Sequence, residues 1–236
     1  VPSEPRLAVV TGTSSGIGRA VAQRLLADGW RVTGLDLAPA TLSHPAFHGV
    51  TADLTDAASL QRAAAALALP QALPQALVHA AGVLRTGRVG EGHPDDARLM
   101  WQLHVQAASG LADALLPPMA AAGRGRMVLV GSRVSGGMPG RGQYAASKAA
   151  LVALARSWAA ELVAQGVTVN VVSPAATDTA MLADPARAGT QPRLPPIGRL
   201  IRPDEVAALV AFLLSDEAAA ITGQDIPLCG GASLSR

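Results

Sequence analysis

Tyr144 and Lys148 are the chain's single tyrosine and single lysine, and they stand four residues apart. They fall in Gln143-Tyr144-Ala145-Ala146-Ser147-Lys148, at the start of a stretch with helical character. Positions i and i+4 share a helix face, so phenol and ammonium project to one side about 6 Å apart. A cation there stabilises phenolate and draws the tyrosine pKa down from about 10, as acid/base chemistry near neutrality requires. All other basic residues are arginine, so the one retained lysine points to a task a guanidinium does not perform. Upstream, Met127-Val128-Leu129-Val130-Gly131-Ser132 reads as a strand that delivers Ser132 at its C-terminal edge. Open α/β sheets gather their ligands at that edge. The Ser132 hydroxyl is placed to hydrogen-bond a carbonyl or alcohol oxygen opposite the phenol. Ser135 is the competitor, but it lies inside the following loop. A surface ion pair and a turn serine are the plainer explanations of each feature taken alone.

A second constellation could hold phosphates. Thr11-Gly12-Thr13-Ser14-Ser15-Gly16-Ile17-Gly18 runs from a strand directly into a helix. Gly12 permits the sharp turn, and Gly16 and Gly18 let the backbone approach a pyrophosphate, with Ser14 and Ser15 between them. The helix start adds free N–H groups and the positive end of its dipole. The glycine spacing is neither the G-x-G-x-x-G fingerprint nor a phosphate loop ending in Gly-Lys. The next strand ends at Asp36, whose carboxylate can accept from ribose hydroxyls and would repel a 2′-phosphate. Neither Ser15 nor Leu37 supplies a cation for that phosphate, so NAD is preferred over NADP. Asp53, after the third strand, is a lesser candidate for the adenine edge.

Positioning these residues requires a sheet. Strands are predicted at Leu7–Thr11, Arg31–Leu35, His48–Ala52, Ala76–Ala80, Met127–Val130, Val167–Val172 and Gln224–Leu228. Helices are predicted near 17–28, 56–68, 95–121, 143–165 and 203–215. Such alternation implies an α/β fold of βαβ crossovers, with a mostly parallel sheet covered by helices on both faces. No boundary divides the 236 residues, and one domain over 1–236 is expected. The Pro-rich connection over 185–203 reads as a substrate loop, centred near 181–200.

Composition excludes other classes. Half the residues are hydrophobic and 15% charged, too apolar for a disordered chain. The pI of 9.3 accompanies a net charge of only +2, because little titrates between neutrality and that pH. The arginines are scattered without aromatic interleaving, which argues against nucleic acid. The uncharged stretch between Arg62 and Arg85 contains Pro70, Pro74 and His79, so it reads as helix end, loop and buried strand, with no membrane span. A lone Cys229 excludes a disulfide framework and fits a reducing compartment. A soluble cytoplasmic protein without a metal is expected.

Taken together, these motifs resemble the short-chain dehydrogenase/reductase family, in its single-domain branch of roughly 250 residues. The resemblance covers nearly the whole chain: the Thr11–Gly18 loop, Asp53, His79-Ala80-Ala81-Gly82, Ser132, Tyr144/Lys148, Asn170 through Pro174 and Thr179, and Gly223 to Gly230-Gly231. It implies a Rossmann-type, doubly wound parallel sheet of seven strands, and hydride transfer between NAD(H) and a secondary alcohol or ketone. Tyr144 would be the general acid/base, Ser132 would position the substrate oxygen, and Lys148 would bind the nicotinamide ribose. Ile17, Leu54, Ala80, Ala81 and Gly82 would line the cofactor, and Pro174, Thr177 and Thr179 would hold the carboxamide. A homotetramer or homodimer is implied as well, in keeping with an apolar girdle (Leu151, Leu154, Trp158, Val163) wider than one core stripe.

The chain departs from the family pattern in three places. His79-Ala80 replaces a pair of asparagines, which should cost the sheet side-chain hydrogen bonds. Pro174-Ala175 replaces Pro-Gly. His104 stands where an asparagine helps hold a helix distortion and a water feeding protons to the lysine; it is either a proton relay or a polar helix residue. Lone Asn170 falls beside the turn expected on the nicotinamide side. Met138, Met181 and Leu182 suggest apolar pocket walls. Arg133, Arg141 and Arg193 could meet an anion or be solvated surface. Two other functions stay open: a 3-oxoacyl-thioester reductase, and a catalytically silent NAD-binding regulator.

Overall fold

The computed structural model describes residues 6–68, 73–184 and 193–234. Seven strands form one sheet in the order β3-β2-β1-β4-β5-β6-β7, and every pairing is parallel. They are β1 (Leu7–Thr11), β2 (Arg31–Asp36), β3 (Phe47–Thr51), β4 (Ala76–His79), β5 (Gly125–Val130), β6 (Val167–Pro174) and β7 (Asp225–Leu228). The helices are α1 (Gly16–Ala27), α2 (Ala57–Leu67), α3 (Pro94–Trp101), α4 (Ala107–Ala121), α5 (Gly142–Leu162) and α6 (Pro203–Leu213). Strand order reverses between β1 and β4, which opens a crevice at the carboxyl ends of those strands.

Successive strand residues point to opposite faces, and two cores result. Val9, Leu77, Met127, Leu129 and Val169 face α2, α4 and α5. Ala8, Val10, Val78, Val128 and Val172 face α1 and α6. Burial on both sides explains why β1, β4, β5 and β6 read as near-continuous apolar runs.

Most element bounds agree with the expected ones to within a residue or two, the usual uncertainty of helix and strand ends. The continuous helix expected over 95–121 is broken. After α3 the chain makes a π-helical turn, Gln102–Gln106, before α4 begins. There the Ala107 N–H reaches back five residues to the Gln102 carbonyl. Eight residues of the Pro-rich connection, 185–192, lie outside the described residues.

Candidate active site

The carboxyl ends of the central strands open into a cavity of about 1080 Å³, at the top of the range for small-molecule and cofactor sites. Its floor is the glycine loop. Gly12 has φ +77°, and a Cβ there would sit 3.0 Å from Ala81 Cα. A Cβ on Gly18 would collide with the Gly12 carbonyl oxygen, so α1 can start this close to β1 only without a side chain. The Ser15 side chain makes no capping bond to α1, which leaves the first-turn amides facing the cavity for an anion. Across the cleft, a Cβ on Gly16 would meet Thr179 Cγ2 at 3.3 Å. The loop and the segment after β6 therefore form two facing walls.

At the β2 end, Asp36 Oδ2 accepts the Ser14 N–H at 2.9 Å and Oδ1 accepts the Ala38 N–H at 2.9 Å. Asp53 accepts from the Thr55 hydroxyl and amide, which lower its pKa. No arginine or lysine lines this end among the described residues.

The opposite wall carries the candidate chemistry. Tyr144 and Lys148 are buried on the first turns of α5, and Ser132 is buried where β5 ends. The Tyr144 ring packs with Leu84, Met100 and Val134. Lys148 Nζ donates to the Val130 carbonyl at 2.8 Å and stands 6.0 Å from the Tyr144 ring centroid. Burial pushes the lysine down to about 7, since a dry site disfavours its charged form. Ser132 Oγ accepts a long 3.4 Å bond from the Val134 amide, so most of its capacity remains for a ligand.

Two buried histidines support this wall from behind. Thr11 Oγ1 accepts the Ala80 and Ala81 amides at 3.0 and 2.9 Å. Its one hydrogen is therefore left for His79 Nδ1, 3.0 Å away. His79 Nε2 must then donate to the Leu103 carbonyl at 3.0 Å, at the π-helical turn. His104, inside that turn, accepts the Val83 amide on Nε2 at 3.1 Å. Its Nδ1 meets Ser147 Oγ at 2.9 Å, and Ser147 in turn donates to the Tyr144 carbonyl. Burial, then the nearby Lys148 charge, lowers His79 to about 4 and holds His104 well below its usual value. The expected loss of sheet-tying hydrogen bonds does not occur, because His79 makes them. His104 has both ring nitrogens engaged as a neutral group, the geometry of a strut more than of a relay.

Comparison with known proteins agrees with this architecture. A family model described as "Enoyl-(Acyl carrier protein) reductase" matches residues 12–233. The 3-oxoacyl-[acyl-carrier-protein] reductase FabG of Salmonella typhimurium is 34% identical over 238 residues, covering 97% of each chain. The chain belongs to the short-chain dehydrogenase/reductase family. The 2,3-dihydro-2,3-dihydroxybenzoate dehydrogenase of Escherichia coli is 36% identical, covering 95% of this chain and 96% of that one. A solved short-chain dehydrogenase/reductase superposes with TM-score 0.86 at 32% identity, covering 97% of both chains. The chain is thus an oxidoreductase of a family that binds a nicotinamide cofactor. The residues present fit such a group, since Gly12, Ser15, Gly16 and Gly18 line the cavity where α1 begins without a side-chain cap.

As a short-chain dehydrogenase/reductase, the chain brings most of its expected site residues together. Gly12, Ser15, Gly16, Ile17, Gly18, Asp36, Asp53, Leu54, Ala80, Ala81, Gly82, Ser132, Tyr144, Lys148, Pro174, Thr177 and Thr179 all line the one cavity. Ser14 does not. Its amide is taken by Asp36 and its hydroxyl donates to the Ala38 and Pro39 carbonyls, so it braces the loop from outside. Asn170, on the strand that leads into the Pro174 turn, has a structural part. It is buried in β6, donating to the Ile221 carbonyl and accepting the Gln224 amide, and so ties β6 to the approach of β7. Ala175 needs no left-handed backbone, because no described non-glycine residue has positive φ. Thr11, Val83, Ser147 and Arg85 are additions that sequence reasoning missed. Arg85 lines the cavity and pairs with Asp96 and Asp184, partners too distant in sequence to signal it.

Proposed function

We propose that the chain is an NAD(H)-dependent alcohol dehydrogenase or carbonyl reductase acting on a small secondary alcohol or ketone. The observation that carries this is the convergence of Ser132, Tyr144 and Lys148 on one buried wall of a cavity whose other wall is the glycine loop. When bound, the nicotinamide ring gives or takes the hydride. Tyr144 Oη passes a proton to or from the substrate oxygen, Ser132 Oγ hydrogen-bonds that oxygen, and Lys148 supplies the ammonium that favours phenolate. The neutral histidines keep Leu103, Val83 and the Tyr144 carbonyl in place while adding no charge beside that ammonium.

NAD is preferred because the adenosine end presents Asp36 and Asp53 without an arginine or lysine among its lining residues. In this reading the enzyme is cytoplasmic and assembles as a homotetramer or homodimer, with half-buried Leu154 and Trp158 on α5 and exposed Val163 just after it available for burial.

A second function has support from the relatives, several of which are named 3-oxoacyl-[acyl-carrier-protein] reductases. Initial rates with NADH and NADPH, measured on short ketones and on 3-oxoacyl thioesters, separate the two. NADH-linked ketone reduction is expected to dominate. Turnover confined to NADPH and thioesters would establish the second function instead, and no turnover with any pair would leave the silent regulator.

A further inference from the structure

The charges lining the cavity are sorted by end. Its carboxylates, Asp36 and Asp53, sit at the β2 and β3 ends. The part beyond Ser132 and Tyr144 carries Arg85, Arg133, Arg141 and Arg193, and no acidic residue lines it among the described residues. Arg85 is neutralised locally: Nη1 lies 3.1 Å from Asp184 and Nε 3.5 Å from Asp96. Arg133 is different. It directly follows Ser132, it is half-buried, and among the described residues nothing hydrogen-bonds or ion-pairs with its guanidinium. Elsewhere Arg24, Arg98, Arg124, Arg199 and Arg202 reach carboxylates, whereas Arg19, Arg31, Arg62 and Arg156, which show no such partner among the described residues, are exposed to solvent.

A half-buried guanidinium bears a desolvation cost that an anion in the cavity would offset. Its planar fork fits carboxylate and phosphate oxygens. The surrounding wall is apolar, formed by Leu84, Val134, Met138, Met181 and Leu182. A ligand suited to both features has a hydrocarbon body and one oxyanion.

We propose that Arg133 binds an oxyanion carried by the substrate itself. The substrate is then a short, mainly apolar ketone or secondary alcohol bearing a carboxylate or phosphate a few atoms from the reacting carbon. This rests on the hydride-transfer function proposed above, which leaves the class of ketone open. Because Arg133 adjoins Ser132 in sequence, the anion and the reacting oxygen are held by neighbouring residues. Arg141 and Arg193 add positive charge to the same end.

The test compares matched probes with NADH: levulinate against methyl levulinate, acetoacetate against methyl acetoacetate, and hydroxyacetone phosphate against hydroxyacetone. The anionic member of at least one pair is expected to have a kcat/KM about 10- to 100-fold higher, the range for a charge-assisted hydrogen bond. Which pair responds identifies carboxylate or phosphate. Arg133→Ala should collapse that ratio toward unity and Arg133→Lys should keep part of it. Arg98→Ala, whose guanidinium pairs with Asp95 outside the cavity, should keep it whole. Ratios near unity in every wild-type pair overturn the proposal while leaving hydride transfer intact. If no probe turns over, hydride transfer to such ketones fails, and binding then decides the anion site through quenching of bound NADH fluorescence. Quenching by levulinate or hydroxyacetone phosphate that Arg133→Ala abolishes supports the site. Quenching by neither, or equally by their neutral partners, overturns it.

Discussion

His79 and His104 hold their protons on opposite ring nitrogens: His79 donates through Nε2 to the Leu103 carbonyl, and His104 accepts on Nε2 from the Val83 amide. Each tautomer is dictated by partners that can act in only one sense. The two rings therefore brace adjacent residues of the π-helical turn from different directions, and both must stay neutral to do so.

That requirement makes stability pH-dependent. The folded pKa of His79, about 4, lies below its ordinary 6.5. Its contribution is thus fully present above pH 6.5 and is lost as the pH falls through 4. A shift of that size corresponds to about 3 kcal/mol. Unfolding free energies from urea titrations at pH 7, 5.5 and 4.5 should fall accordingly, and His79→Asn should make the decline shallower. A wild-type curve that is flat over this range would show that protonation does not disturb the network.

Gly82 tests the other histidine. A Cβ there would stand 3.1 Å from His104 Nε2 and 3.6 Å from Lys148 Nζ, and His104 is held on both sides and cannot retreat. Gly82→Ala should lengthen the bond from Val83 and shift the lysine. We expect kcat/KM to fall ~10- to 100-fold, with a stability loss of about 1–3 kcal/mol. Steady-state kinetics alongside thermal melting would separate the two effects, and unchanged kinetics would mean that the strut does not position the site.

Cofactor choice turns on Asp36. Because its carboxylate also accepts the Ser14 and Ala38 amides, Asp36→Asn is the cleaner change: it removes the charge but keeps an acceptor. The ratio of kcat/KM for NADH over NADPH should drop by about 10-fold or more. Asp36→Ala should narrow it too, with a further loss of stability from unpaired loop amides. A ratio unaffected by either would remove Asp36 from the cofactor site.

Much of the fold and of the site is legible in the amino-acid sequence. The fully buried strands announce themselves as short β-branched runs, because a parallel sheet covered on both faces leaves no polar side. Tyr144/Lys148 and the glycine loop are local features whose geometry follows from helix periodicity and from a strand–helix junction. The histidine network is not local. Thr11 and His79 are 68 residues apart, His104 and Ser147 43, and Val83 and His104 21, so their pairing exists only once the sheet has assembled. The π-helical turn is hidden because its apolar pattern runs through from α3 into α4. Ser14 is misleading because the direction of a loop amide depends on backbone angles that the residue type does not reveal.

Proton transfer by Tyr144 is the centre of the proposed chemistry. Tyr144→Phe keeps the ring that packs with Leu84, Met100 and Val134 and removes only the hydroxyl. Turnover of a ketone with NADH should fall by about 10²- to 10⁴-fold, the usual weight of a general acid/base, while NADH still binds as judged by its fluorescence. Turnover by Tyr144→Phe at the wild-type rate would contradict the assignment of Tyr144 as the proton-transferring group.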